Sequence, residues 1–350
     1  MKKQEYLFNK ELYDYELPES LIGVKPKVKR DESRLFVFNT RTGEIVFDLF
    51  KNIDKYLPNN SLLVLNETKV VPARAYLYKK TGGKVEVLFL FNLWNESEKI
   101  IKGIVDRKVE VGDVLAFGDE KLCVAQQEEN IFYFEMECTA SKFRQLVSLH
   151  GETPVPHYIK GVSLDEDALR ARYQTIFAND AYSIAAPTAA LHFTDTVFDK
   201  LASRGIDTTT LTLHVGLGTF KPLTKENFET NSLHSERYFI NEETVRKIVD
   251  AKKSAKPVIA VGTTTVRTLE SYAETKKSEG ETNIFIHPPF DFRVVDHLIT
   301  NFHLPNSSLM MLVEALLVHK KSEKHLVDLY TIAIKEGFHF YSFGDSMLIL

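Results

Sequence analysis

The sequence predicts a mixed α and β protein, with a large α/β domain (residues 1–59 and 152–350) carrying an inserted, smaller β-barrel-like domain (residues 60–151). Two observations predict this class. Residues 60–137 hold short apolar runs parted by turn residues with no helix between them, the pattern of a barrel or sandwich. From about residue 152 onward, helical spacing alternates with strand-like runs, as in α/β sheets.

The elements follow in order. Leu35-Phe-Val-Phe38 reads as a strand that joins the N-terminal segment to the α/β body. Leu62–Leu65, Val70–Tyr78, Val85–Phe91, Ile100–Val105, Asp113–Phe117 and Ile131–Phe134 are the expected strands of the insert, with Thr81-Gly-Gly83 and Gly112-Asp113 as turns. Thr139–His150 then has helical character and stops at Gly151. Thr194 is placed to cap a helix that runs to Arg204, with Gly205 as its stop. A strand is expected at Thr208–Val215 and a helix at Glu242–Lys253. Val258-Ile-Ala-Val261 is a continuous apolar strand entering Gly262 and a helix from about Thr264. Parallel sheets use that strand, glycine, helix order and bind ligands at strand carboxyl ends. Ile284–Ile286 reads as another strand, and two helices near 307–319 and 323–336 end the chain.

Composition limits the function classes. The 350 residues are 44% hydrophobic and 26% charged, enough for one large core or two. Two cysteines, Cys123 and Cys138, cannot build a four-cysteine metal site or the three-cysteine cluster of a radical enzyme. None of the 11 histidines falls in a zinc-ligand spacing, so no metal is expected. No apolar run reaches the ~18 residues of a membrane span, and a soluble cytoplasmic protein is the expectation. No coiled-coil or pairing segment is visible, which makes a monomer the expectation. The net charge of −4 is too acidic for bulk attraction to nucleic acid, so an RNA partner needs a local patch. Lys25, Lys27, Lys29, Arg30 and Arg34 supply one, and Lys79, Lys80 and Lys84 a second; a solvated charged loop is the plain alternative for each.

Two segments carry the chemistry. In Ala185–Phe193, Pro187, Thr188, Ala189 and Ala190 leave little bulk around His192. In Thr212–Phe220, Gly216 and Gly218 free the backbone after His214. Imidazole titrates near neutrality, so His192 and His214 lead as acid/base groups, with core packing as the alternative. His234 and Glu236 are either a mutually orienting pair or a surface pair. Gly262 to Thr265 can present backbone N–H groups at a helix start.

These segments occur together with Arg30-Asp-Glu-Ser-Arg-Leu35, Leu65-Asn-Glu-Thr-Lys-Val-Val-Pro-Ala-Arg74, His234-Ser-Glu236, Val258–Ser271, Phe292–Asp296, Thr300-Asn-Phe-His-Leu-Pro305 and Phe343-Gly-Asp-Ser-Met347. The set, in this order, resembles the S-adenosylmethionine:tRNA ribosyltransferase-isomerase family of queuosine biosynthesis. Ala190, Arg237 and His287-Pro-Pro-Phe290 depart from that family's usual residues and bear on the acceptor geometry.

The resemblance implies the same two-domain layout. It also implies transfer and isomerisation of the ribosyl part of S-adenosylmethionine onto 7-aminomethyl-7-deazaguanine, at the wobble position of a tRNA anticodon loop. Epoxyqueuosine is formed, and adenine and methionine leave. S-adenosylmethionine is then a consumed co-substrate, and no cofactor is expected. His192, His214, His234 and Glu236 become the catalytic candidates. Gly216, Gly218, Thr219, Thr263, Thr264 and Arg267 become contacts to S-adenosylmethionine, its carboxylate on the helix N-terminus. Lys27, Lys29, Arg30, Arg34, Arg74, Asn301 and His303 become substrate or RNA contacts, Arg293 and Asp296 complete the pocket, and Phe193 and Phe220 either stack on the ligand or pack the core. A diverged transferase with another nucleoside or amine acceptor, and a non-catalytic RNA-binding module, stay open.

Overall fold

The computed structural model describes residues 10–156, 158–159, 164–216 and 223–350. Its strands are β1 (Arg34–Phe38), β2 (Ile45–Leu49), β3 (Leu62–Asn66), β4 (Lys69–Val70), β5 (Arg74–Lys79), β6 (Lys84–Phe89), β7 (Ile100–Val105), β8 (Val114–Phe117), β9 (Glu120–Glu128) and β10 (Ile131–Met136). The helices α1 (Ala140–His150) and α2 (Glu166–Arg172) follow, then β11 (Ala181–Ser183), α3 (Asp195–Ser203), β12 (Asp207–Leu213), α4 (Lys225–Thr230) and β13 (Ser232–Phe239). The chain ends with α5 (Glu242–Lys253), β14 (Val258–Val261), α6 (Thr263–Thr275), β15 (Glu279–Ile284), β16 (His297–Asn301), α7 (Ser308–His319), α8 (Leu326–Lys335) and β17 (Ser346–Ile349).

The mixed α and β class holds. Strands β5 to β10 close a barrel, in the order β10-β7-β6-β5-β8-β9. The barrel strands alternate buried and exposed residues, and their inward side chains, among them Val85, Val87, Phe89 and Phe134, fill the interior. Helix α1, capped where Thr139 accepts from the Lys142 amide, plugs one side with Phe143 against Phe89 and Phe91.

The second sheet has nine strands in the order β15-β13-β12-β3-β14-β16-β17-β1-β2. At its centre β12, β3, β14 and β16 run parallel, antiparallel pairs flank them, and β17 and β1 form a further parallel pair toward the other edge. Three sequence expectations are corrected here. Leu62–Leu65, expected in the barrel, belongs to β3 in the middle of the large sheet, so the closed barrel starts at Arg74. The reason is burial on both faces: Leu62 and Val64 enter one core, Leu63 and Leu65 the other. The strand expected at Ile284–Ile286 runs earlier, Glu279–Ile284, as an edge strand beside β13. The strand expected to reach Val215 ends at Leu213.

Helices α5 to α8 cover one face of the large sheet and α3 the other. Glu270 on α6 holds the segment that feeds β16. Its Oε1 accepts from the Val294 and Val295 amides at 3.1 and 3.0 Å, and its Oε2 from the Arg293 amide at 2.9 Å. Burial pushes this carboxyl's pKa up, and the three amides oppose that. Glu270→Ala strands those donors and is expected to lower unfolding stability by about 2 kcal/mol in a denaturant titration. Glu270→Gln should lose less, because its amide oxygen keeps the Val294 and Val295 bonds.

Candidate active site

The four parallel strands end on the same side of the sheet, at Leu213, Asn66, Val261 and Asn301. Asn66 ties these ends together. Its Oδ1 accepts from the Leu213 and Thr68 amides, both at 3.1 Å, and its Nδ2 donates to the Leu213 carbonyl at 3.0 Å and the Thr264 hydroxyl at 3.2 Å. All of its hydrogen-bonding capacity is used inside the protein, so Asn66 is a fastener rather than a ligand.

A cleft opens at these strand ends. Its walls include Ala186 to Ala189, Val215, Gly262 to Thr264, Thr300 to Leu304, Tyr158 and Ser342. Gly262 turns the chain from β14 into α6 at φ 86°, a left-handed conformation that favours glycine. The first turn of α6, with Thr263 and Thr264, therefore faces the cleft, and its backbone N–H groups suit an anionic or hydroxyl ligand. Asn301 accepts from the Thr188 hydroxyl at 2.9 Å, and Tyr158 shares a 2.6 Å bond with Ser342. His303 Nε2 meets the Thr300 hydroxyl at 2.8 Å. Burial drives the His303 pKa down to about 3, so this ring is a neutral hydrogen-bonding group.

His214 sits beside Val215 of the cleft wall, yet its ring turns toward a polar cluster. Its Nδ1 lies 3.0 Å from the Thr68 hydroxyl, which lies 2.9 Å from the Ser183 hydroxyl, and its Nε2 is 3.3 Å from Asp180 Oδ2. Asp180 only accepts, which fixes a proton on Nε2. In the neutral ring Thr68 then donates to Nδ1; in the charged ring the Thr68 bond reverses. Burial lowers the His214 pKa, and the Asp180 charge opposes the shift. The arrangement is a half-buried imidazole, mostly neutral at pH 7, with a carboxylate ready to stabilise its charged form.

A second, narrow cavity adjoins the cleft. Leu309 lines both; His234, Glu236, Arg267 and Ser308 line the second. Glu236 and Arg267 form a buried ion pair, at 2% and 5% side-chain exposure, and Glu236 Oε1 also accepts from the Gly216 amide at 2.9 Å. A Cβ at Gly216 would come within 2.5 Å of Asn92 Nδ2, so a larger residue there would displace the Asn92 amide.

The remaining sequence candidates fall elsewhere. His192 is a core residue, its ring 5.2 Å from that of Phe50 and its pKa lowered to about 4 by burial. The small residues around it pack against a hydrophobic layer that also takes up Phe193. Gly218, Thr219 and Phe220 lie outside the described residues. Arg30 donates to the carbonyls of Ala171 and Gln174, Arg34 to that of Glu336, and Arg74 to that of Val155 while pairing with Glu86. These three arginines fasten segments of the fold. Lys27 and Lys29 are exposed, Lys29 within 3.2 Å of Glu32. Asp296 caps the start of β16, accepting from the Val258 amide at the far end of the sheet, away from the cleft, and Arg293 stands in the same segment. Thr68, Asp180, Tyr158 and Ser342 were not singled out in the sequence; Thr68 stands in a quoted motif, and Asp180 carries no local signal. Among the described residues no group of three or more His, Cys, Asp or Glu could hold a metal ion, and no helix is long and apolar enough to cross a membrane.

A family model described as queuosine biosynthesis protein matches residues 10–349. The chain is 44% identical over 345 residues to the S-adenosylmethionine:tRNA ribosyltransferase-isomerase of Thermosipho melanesiensis, covering 96% of this chain and 98% of that one. The Carboxydothermus hydrogenoformans protein of the same name is 43% identical, with 97% and 98% covered. The crystal structure of the S-adenosylmethionine tRNA ribosyltransferase from Thermotoga maritima aligns with a TM-score of 0.54 at 33% identity, covering 97% of this chain and all of that one. With motifs that converge on one cleft and similarity that spans nearly every residue, the chain belongs to the queuosine biosynthesis protein family.

Proposed function

We propose that the protein is an S-adenosylmethionine:tRNA ribosyltransferase-isomerase. It transfers and isomerises the ribosyl moiety of S-adenosylmethionine onto 7-aminomethyl-7-deazaguanine at the tRNA wobble position, giving epoxyqueuosine with release of adenine and methionine. The observation that carries this reading is the cleft itself: residues of several separate motifs meet there, at the carboxyl ends of four parallel strands. S-adenosylmethionine is the reagent, and the reaction needs no further cofactor.

The substrates set the demands on the site. The sulfonium acidifies the neighbouring 5′ carbon, so a positioned base removes a proton there. The acceptor amine, near the ~10 of an alkylammonium, must lose its proton before it attacks. His214 is the residue suited to proton transfer, because Asp180 and Thr68 fix its tautomer and Asp180 stabilises the imidazolium. Thr263 and Thr264 at the α6 N-terminus hold polar groups of S-adenosylmethionine. Ala186, Pro187, Phe302 and Leu304 supply an apolar wall for adenine.

Wild-type protein incubated with S-adenosylmethionine and tRNA carrying the aminomethyl base is expected to release adenine only when the RNA is present. Release without RNA would favour a different acceptor, and RNA binding without release would favour a non-catalytic module.

The exposed Lys27 and Lys29 are the RNA-contact candidates that remain unburied. Each phosphate contact adds about −0.7 to −0.9 to the slope of log affinity against log salt. Lys27→Ala with Lys29→Ala is expected to weaken tRNA binding and flatten that slope by roughly one to two units, with affinity for S-adenosylmethionine unchanged. An unchanged slope would move the contact to Lys79, Lys80 and Lys84.

A further inference from the structure

The Arg267 guanidinium is only half used. Its Nη1 donates to Glu236, while its Nε and Nη2 have no partner among the described residues, although the residue is 4% exposed. Those two donors form one edge of the planar group, and side-on they match the two oxygens of a carboxylate. Burying such an edge without an acceptor is unfavourable, and buried donors in folded proteins are nearly always paired. The empty space beside it is the narrow cavity that Arg267 lines with Ser308 and Leu309.

Position on the helix connects this edge to the main cleft. Arg267 follows Thr263 by four residues and Thr264 by three, so the three side chains share one face of α6. Thr263 and Thr264 face the large cleft, and Leu309 borders both spaces. A ligand whose body fills the cleft can extend one arm past Leu309 to the guanidinium. An RNA phosphate is too bulky and too tied to its strand to approach so enclosed a spot, which leaves a carboxylate on a flexible chain as the matching anion.

We propose that Arg267 binds the methionyl carboxylate of S-adenosylmethionine through its Nε and Nη2 edge, with Glu236 holding the guanidinium in place from the other side. The inference rests on the reading of the cleft as the S-adenosylmethionine site, and it moves the carboxylate from the helix N-terminus to the arginine one turn further along. The backbone N–H groups at Thr263 and Thr264 are then left for the ribose hydroxyls. The site therefore distinguishes S-adenosylmethionine from adenosyl compounds of the same charge centre that lack an acid group.

The test compares S-adenosylmethionine with its decarboxylated analogue, which keeps the adenosine, the sulfonium and the amine. Calorimetric titration of the wild-type protein without tRNA is expected to show S-adenosylmethionine binding roughly 10- to 100-fold tighter. Arg267→Lys retains a cation for Glu236 but loses the planar fork, and it is expected to reduce that ratio by about tenfold. Its affinity for the decarboxylated analogue should stay within about twofold of wild type, a readout that a merely structural arginine would not give. Equal binding of both ligands by the wild-type protein overturns the assignment and leaves the cleft reading standing. An equal loss for both ligands in the variant also overturns it. Failure of both ligands to bind the wild-type protein overturns the assignment together with the cleft reading. Even where Arg267→Lys folds poorly, equal binding of both ligands by the wild-type protein overturns the assignment.

Discussion

Replacing His214 with alanine is expected to lower turnover by roughly 10²–10⁴-fold, the range for loss of a general acid/base group, while the protein stays folded. The imidazole lies at the end of a central strand and bridges Thr68 and Asp180, so its removal deletes the proton-transfer group that those two residues hold in place. Adenine release in a single turnover is the measurement. Near-wild-type release by a folded His214→Ala protein would remove this residue from the mechanism. The pH profile offers a second check. Burial holds the His214 pKa below its ordinary 6.5, so the neutral form prevails at pH 7 and activity should decline as pH falls through that lowered value. The Asp180 charge raises the His214 pKa; Asp180→Asn is therefore expected to push the acid limb still lower and to reduce the plateau rate.

The second large effect concerns acid stability. His192 and His297 have pKa values lowered to about 4 and His303 to about 3, burial being the leading cause in each. In the unfolded chain each takes a proton near 6.5. Their stabilising effect is therefore complete above about pH 6.5 and is lost as pH falls toward the folded values. Between pH 7.5 and pH 5 the native state is expected to lose about 2 kcal/mol per histidine. His325 works in the opposite sense, since the buried Glu314 carboxylate raises its pKa, but this ring is half exposed and its effect is smaller. Denaturant titrations at the two pH values test the sum. His192→Phe, which keeps a ring against Phe50, should remove one histidine's share of the pH dependence; an unchanged pH dependence would sink this account.

The sequence revealed the architecture more readily than its seams. Leu62–Leu65 was grouped with the barrel because its neighbours in the chain are barrel strands. All five residues of β3 are buried, whereas β6 and β8 alternate, and an unbroken apolar run belongs to a strand covered on both faces. That signal was available and outweighed by proximity. The edge strand β15 and its neighbour β13 are different: Ser232–Phe239 and Glu279–Ile284 are polar because solvent reaches them, so little apolar pattern marks them. Among the site residues, Thr263, Thr264, Asn301 and His303 were legible as motif members, and they do line the cleft. For His192 the sequence leaves pocket and core open, because small flanking residues serve a packed core as well as a pocket, and the structure places its ring in the core against Phe50. Asp180 and Thr68 lay beyond reach, since they meet His214 from 34 and 146 positions away and only the sheet brings them together.

The two passages between sheet and barrel run side by side. Arg74 and Glu152 pair as a bridge, each amide bonded to the other's carbonyl, at 3.2 and 2.6 Å. Gly151 packs so tightly on Pro72 that a Cβ there would come within 2.0 Å of its carbonyl oxygen. An insert whose entry and exit touch places almost no demand on the host strands, which explains how a whole barrel interrupts the chain between two strands, β3 and β12, that remain direct neighbours in the sheet. Such a joint also behaves like a double-stranded stalk. It resists swivelling about the connection more than a single linker does, and so holds the barrel at a set bearing to the strand ends where the cleft opens.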